Sequence, residues 1–268
     1  MQVQTRPFEL GRKTETLDHA IEAIRVRFGS QALTRVAELP PPLPWPSGTP
    51  LDRLTGIGGL PRGRLTLLTG AGTCGKLTLG VALLAQATRE FAHAVVIDPS
   101  RNFDPWTMLP FHPELGTLTV IRAPDMDAAG EAAAALARAG AGFILLIGEV
   151  PETWLGPMEA GAGRSGSVVV GVVDAPGRAF AHASSLSFGF ARISWIHERG
   201  QLIGLTAAAR IAKNKLAPPV GESELEILYP SPHRGGAAPP RDCAAASGVR
   251  WGRQAGELEE SECASAAV

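Results

Sequence analysis

Leu17, Ile21, Ile24 and Phe28 are spaced four, three and four residues apart, one apolar stripe of an amphipathic helix over residues 14–28 of about four turns, and Gly29 supplies its stop. Residues 39–50, LPPPLPWPSGTP, hold six prolines, which fix φ and remove donors. They predict an extended linker between a helical region at 1–38 and the rest of the chain. The stripe has two outlets, burial on its own domain or on another subunit.

From Leu51 onward, short apolar runs alternate with helical patterns. Arg64–Thr69, Ala94–Asp98, Thr117–Ile121, Phe143–Ile147 and Ser167–Val173 read as buried strands, Gly75–Glu90 and Asp127–Ala139 as helices. That order predicts an α/β domain with a parallel sheet over 51–230. After Ala183 the pattern changes to Ser187–His197, Gln201–Ile211 and Leu225–Tyr229, with a turn at Glu198-Arg199-Gly200, and predicts an antiparallel meander closing the sheet. Residues 231–268, rich in Gly, Pro, Ala and charge, predict a disordered tail.

Composition narrows the partners. With 25 Lys+Arg against 26 Asp+Glu among 268 residues, the net charge of −1 gives no global basic field, so any contact with DNA has to come from local basic loops or from assembly. Cys74, Cys243 and Cys263 form no paired spacing, which argues against a disulfide framework or zinc site and fits a cytoplasmic chain. No apolar run reaches the ~20 residues of a membrane span, and Met1 to Lys13 has no signal-type core.

The chemistry concentrates at Gly70-Ala71-Gly72-Thr73-Cys74-Gly75-Lys76, placed between a strand and a helix as a phosphate-cradling loop requires. Glycines let backbone N–H groups converge on phosphate, the helix N-terminus adds positive charge, and Lys76 reaches the terminal phosphates. The same residues also read as a Gly-rich turn inherited from a nucleotide-binding ancestor. Where a hydroxyl should ligate Mg²⁺ stands Leu77, with Thr78 about 100° further round the helix. The strand Phe143–Ile147 ends at Gly148 instead of a carboxylate, and Glu149, one residue on, is expected on the opposite face. Asp98 is better placed, yet Ser100, where a base belongs, is too weak. ATP binding is therefore possible, with Mg²⁺ weak or absent. Cys74 reads either as a redox-sensitive thiol at a helix start or as a buried small residue.

These residues resemble the RecA recombinase family in four ordered blocks: the helix ending in Phe28-Gly29, then LDRLTGIGGLPRGRL, GAGTCGK and VVIDPSRNFDP. A fifth, SFGFARISWIHERGQLIGLTAAARIAKNKLAPPVGESELEILY, resembles the end of the RecA core, with Lys213-Asn214-Lys215 intact. The resemblance spans Thr14 to Tyr229 and implies a RecA-like P-loop core with a mostly parallel central sheet, an antiparallel meander and an N-terminal helix. It implies a nucleotide set of Gly70, Gly72, Thr73, Cys74, Gly75, Lys76, Leu77 and Thr78, with Asp104 at the adenine and Trp106 near the family's aromatic stacker. It further implies that Lys213 and Lys215 reach a neighbour's ATP across a filament interface; the plainer reading makes them solvated strand-end lysines. In RecA filaments the equivalent helix packs on the adjacent protomer, which implies that Leu17, Ile21, Ile24 and Phe28 would dock on RecA itself.

The departures are equally specific. The family's catalytic Glu is Ser100, its Thr is Leu77, its Walker B Asp is Gly148 and its sensor Gln is Asp174. Its two mobile DNA-binding loops, here 148–167 and 174–187, are compressed and carry as basic residues Arg164, then Arg178 and His182, so contact with single-stranded DNA is expected to be weak or indirect. A kept fold with damaged catalysis is similar to the RecA-like ImuA proteins, which implies an accessory role in the SOS response, with RecA and the polymerase relative ImuB as partners. The expectation is an adaptor with a degenerate ATPase site. The alternatives are a weak DNA-dependent ATPase forming its own filament, and an ATP-binding regulator that does not hydrolyse.

Overall fold

The computed structural model describes residues 10–29, 43–218, 221–229 and 249–251, in two compact units, Met1–Pro41 and Pro42–Val268. In the first, helix α1 (Leu10–Phe28) begins four residues before the expected start, carries Arg25 and Arg27 in its last turn, where they suit the helix dipole, and ends at Gly29, whose N–H donates to Arg25 O at 2.8 Å. Ile21 is half-buried, whereas Ile24, Val26 and Phe28 are exposed. The Leu17 side chain lies outside the described residues.

The second unit is built on a nine-stranded sheet. Its strands are β3 (Leu65–Thr69), β4 (Ala94–Ile97), β5 (Leu118–Ile121), β6 (Phe143–Ile147), β7 (Val168–Val173), β8 (Leu186–Glu198), β9 (Gln201–Asn214), β10 (Glu222–Leu228) and β11 (Val249–Trp251). They lie in the order β11-β10-β9-β8-β3-β7-β6-β4-β5. From β8 to β5 all neighbours are parallel, and from β8 to β11 all are antiparallel, so the expected meander is present and closes one side. Alternation along each strand sends Leu68, Val96, Leu145 and Val170 to one face, under α3 (Lys76–Glu90). Leu67, Val95, Ile144 and Val169 face the other side, under α4 (Met126–Ala139), α5 (Glu152–Ser165) and α6 (Arg178–Ala183).

Three expectations need correction. The Pro-rich segment is not wholly a linker: β1 (Pro44–Trp45) pairs with β2 (Leu60–Pro61), and Trp45 is 0% exposed, packed on Phe91 and Phe143 with its Nε1 donating to Glu90 at 2.7 Å. Ser47 and Gly48 then donate backbone N–H groups to the Asp52 carboxylate, which fastens the segment to α2 (Leu51–Leu54). An extended proline-rich backbone suits a two-residue edge strand, and the indole supplies the burial. Second, 148–167 and 174–187 are not open loops, because α5 and α6 fill them. Pro157 and three glycines weaken the helical signal of α5, but Leu155, Met158 and Ala162 are buried, and Gly161 lets the helix approach the α4 backbone at Arg138. Third, the tail contributes β11, paired with Leu225–Ile227; its other residues are not among those described.

Candidate nucleotide pocket

Strand β3 leads into the Gly-rich loop, and α3 starts directly after it at Lys76. Gly75, at φ +86°, takes the left-handed turn that lets the chain enter α3, and the helix has no side-chain cap on its first N–H groups. A helix N-terminus left open in this way is a ready anion cradle. The loop borders a cavity of about 600 Å³ at the C-terminal ends of the parallel strands, where open α/β sheets place their ligands. Gly72, Thr73, Cys74, Gly75, Lys76, Leu77 and Thr78 line it together, as the sequence anticipates. Ser100, Asn102, Gly148, Glu149, Asp174 and Tyr229 line it as well.

The remaining expected contacts lie elsewhere. Gly70 sits behind the loop and donates its N–H to Asp174 O at 3.1 Å. Asp104 and Trp106 are not among the lining residues. Asp104 caps the short helix Pro105–Phe111 by accepting from Trp106 N at 3.0 Å, and Trp106 is 70% exposed. Asp98 is not a spare carboxylate: it is fully buried, accepting from Phe103 N at 2.7 Å and from the Arg122 guanidinium. Cys74 is buried at 1% exposure, 4.0 Å from Lys76 Nζ.

Three positions bear on metal binding, Leu77, Gly148 and Glu149. The Leu77 side chain offers no oxygen. At the end of β6, Gly148 has φ +112°, a backbone angle that side-chain-bearing residues rarely adopt, and a Cβ placed there would meet the flexible end of Met126, so the position where the resemblance implies a carboxylate offers none. That same backbone turn corrects the expectation for Glu149. Strand alternation stops at Gly148, so Glu149 faces the cavity after all, with Oε2 accepting from Gly177 N at 2.7 Å. No cluster of three His, Cys, Asp or Glu suited to a metal occurs among the described residues.

One ion pair sits in the cavity wall. Lys76 Nζ lies 2.6 Å from Asp174 Oδ1 and donates to Gly72 O at 2.8 Å. The neighbouring Lys76, by hydrogen bond and by charge, holds the Asp174 carboxyl below the usual carboxylate range. Tyr229, whose phenol is pushed up by burial, forms part of the wall, and Arg192 braces the loop by donating to Thr73 O at 3.0 Å while stacking over the Trp195 ring. Nothing in the local sequence marked Tyr229, because only the pairing of β10 with β9 brings it back to the loop.

This strand, loop and helix, with the sheet order around them, agree with a match of residues 15–172 to the RecA N-terminal domain family, more than half of the chain. The chain belongs to the RecA family. Among its relatives, the protein named RecA from Aquifex pyrophilus is 26% identical over 262 aligned positions, covering 82% of this chain and 75% of the relative. RecA from Thermus thermophilus is 27% identical over 260 positions, covering 81% and 76%. RecA from Brucella anthropi gives 26% over 260, with 81% and 72% covered.

The paired lysines of this RecA-family core are engaged within the chain. Lys213 Nζ donates to Ala181 O and His182 O at 2.6 and 2.9 Å, and Lys215 Nζ donates to His182 O at 2.8 Å, so both satisfy carbonyls at the end of α6. Burial first, and then the nearby Lys215 ammonium, push Lys213 below the ordinary lysine range. Asn214 between them donates to Thr55 O at 2.9 Å. Among the described residues, no helix is long and apolar enough to cross a membrane.

Proposed function

We propose that this RecA-family chain is an adaptor of the SOS DNA damage response, acting in translesion synthesis like the ImuA proteins it resembles, and that it binds RecA and polymerase-side partners of the ImuB type without productive ATP turnover. The observation that carries the reading is Gly148 at the end of β6. A catalytic P-loop needs a carboxylate there to hold the metal's waters, whereas this position has no side chain and a φ of +112° that disfavours one. Leu77 and Ser100 remove the other metal and base functions. A chain with the sheet, the loop and the helix α1 in place but without these groups fits a protein used for its surfaces. The sparse basic residues of α5 and α6 fit DNA contact made through partners.

Single-turnover ATP hydrolysis, with and without single-stranded DNA, tests the proposal on wild type and Lys76→Ala. The expected result is no DNA-stimulated turnover in either protein. Turnover present in wild type and lost in the variant would instead establish the filament-forming ATPase. Affinity capture from DNA-damaged cells, read by mass spectrometry, is expected to recover RecA and a polymerase-type protein.

A further inference from the structure

The P-loop lysine of this chain already holds an anion. Asp174 follows β7, whose last residue Val173 is in register with Thr69 at the end of β3, so the carboxylate emerges beside the start of the Gly-rich loop. Its own carbonyl accepts the Gly70 N–H, and its side chain takes the Lys76 ammonium at 2.6 Å, so backbone and side chain both attach to the loop. Of the pair, Lys76 is the inner member, with 11% of its side chain exposed, and Asp174 the outer, with 69% exposed toward the cavity it lines. Among the described lining residues, Lys76 is the one cation against two carboxylates, Glu149 and Asp174. The lining side chains therefore carry one more carboxylate than ammonium, with the Arg192 guanidinium beside the loop at Thr73 O as the nearby positive charge.

We propose that Asp174 is the specificity-determining residue of this pocket, a resident anion in the phosphate seat that discriminates against nucleoside triphosphates. A triphosphate entering the cradle must break the Lys76–Asp174 pair and then lie beside an unpaired carboxylate. With a neutral side chain at 174, Lys76 is free for the terminal phosphate, while the loop backbone and the start of α3 are already shaped for it. The proposal rests on the pocket being non-hydrolytic, and it assigns to Asp174 the exclusion of the ligand that the missing metal site leaves without a use.

Calorimetric titration of ATP into the full chain separates the possibilities, using wild type, Asp174→Asn, Asp174→Glu and the double variant Asp174→Asn with Lys76→Ala. The side chain of Asp174 is largely exposed, so these substitutions leave the core intact. Asp174→Asn is expected to bind ATP about fivefold tighter than wild type, the upper end of what an ion pair open to solvent on one side contributes. Asp174→Glu keeps the charge and is expected to stay near wild type, and the double variant is expected to lose the gain. Equal affinity of wild type and Asp174→Asn, or a gain that survives removal of Lys76, overturns the proposal. Phosphate release followed in the same samples keeps the two readings apart: turnover by wild type refutes the adaptor reading, whereas the comparison of affinities alone judges Asp174.

Discussion

At Gly148 a missing side chain and an occupied space coincide. Its φ of +112° is a conformation that costs an ordinary residue about 1–3 kcal/mol, and a Cβ there would have to displace the end of the Met126 side chain. Restoring the carboxylate by Gly148→Asp is therefore expected to lower stability by about that amount in urea unfolding and to bring no ATP turnover, because Leu77 and Ser100 still lack their functions. Shortening Met126 to Ala in the same protein relieves the contact but not the backbone angle, so recovery is expected to be partial. Residue by residue, the loop from Gly72 to Thr78 was legible because its chemistry is contiguous and its spacing has a mechanism. Tyr229 was not, since a lone aromatic at a strand end says nothing until β10 pairs with β9. Asp98 misled for a related reason: its position at the end of a strand is visible in the sequence, but Arg122, which claims it, arrives from β5's far end.

Among the elements, β1 gives the sharpest contrast between composition and packing. Six prolines in twelve residues describe backbone stiffness, and they carry no information about whether Trp45 finds a hydrophobic slot. It does, between Phe91 and Phe143, with its indole N–H on Glu90. Trp45→Ala is expected to destabilise the core by about 3–5 kcal/mol in chemical denaturation, the range for emptying a buried aromatic site; a mere tether would show no change. The strands β3 to β7 and the helices α3 and α4 were all readable from periodicity within a residue or two of their ends. α5 was not, because Pro157 and its glycines speak against a helix locally and only its docking on α4 overrules them. For α1 the stripe was legible, and Ile24 and Phe28 are exposed on it. If α1 is the docking element, Phe28→Asp abolishes capture of RecA while the circular dichroism melt stays that of wild type; capture unaffected by the charge removes α1 from the interface.

For the molecule as a whole, the sheet divides into a parallel part that frames the cavity and an antiparallel part that ends in β11. Fold class followed from the alternation of strand and helix signals, and the family from ordered blocks along most of the chain. What the chain does with that fold depends on single positions within it. Strand β3 is the central case, since it is hydrogen-bonded along both sides, to β7 through all five of its residues and to β8 through four. A segment clamped on two flanks is among the stiffest parts of a protein. The turn it launches is thus mounted on an anvil, and accommodation of any guest falls to the swing of a few side chains, which leaves the choice of guest to substitutions as small as one atom in a carboxylate.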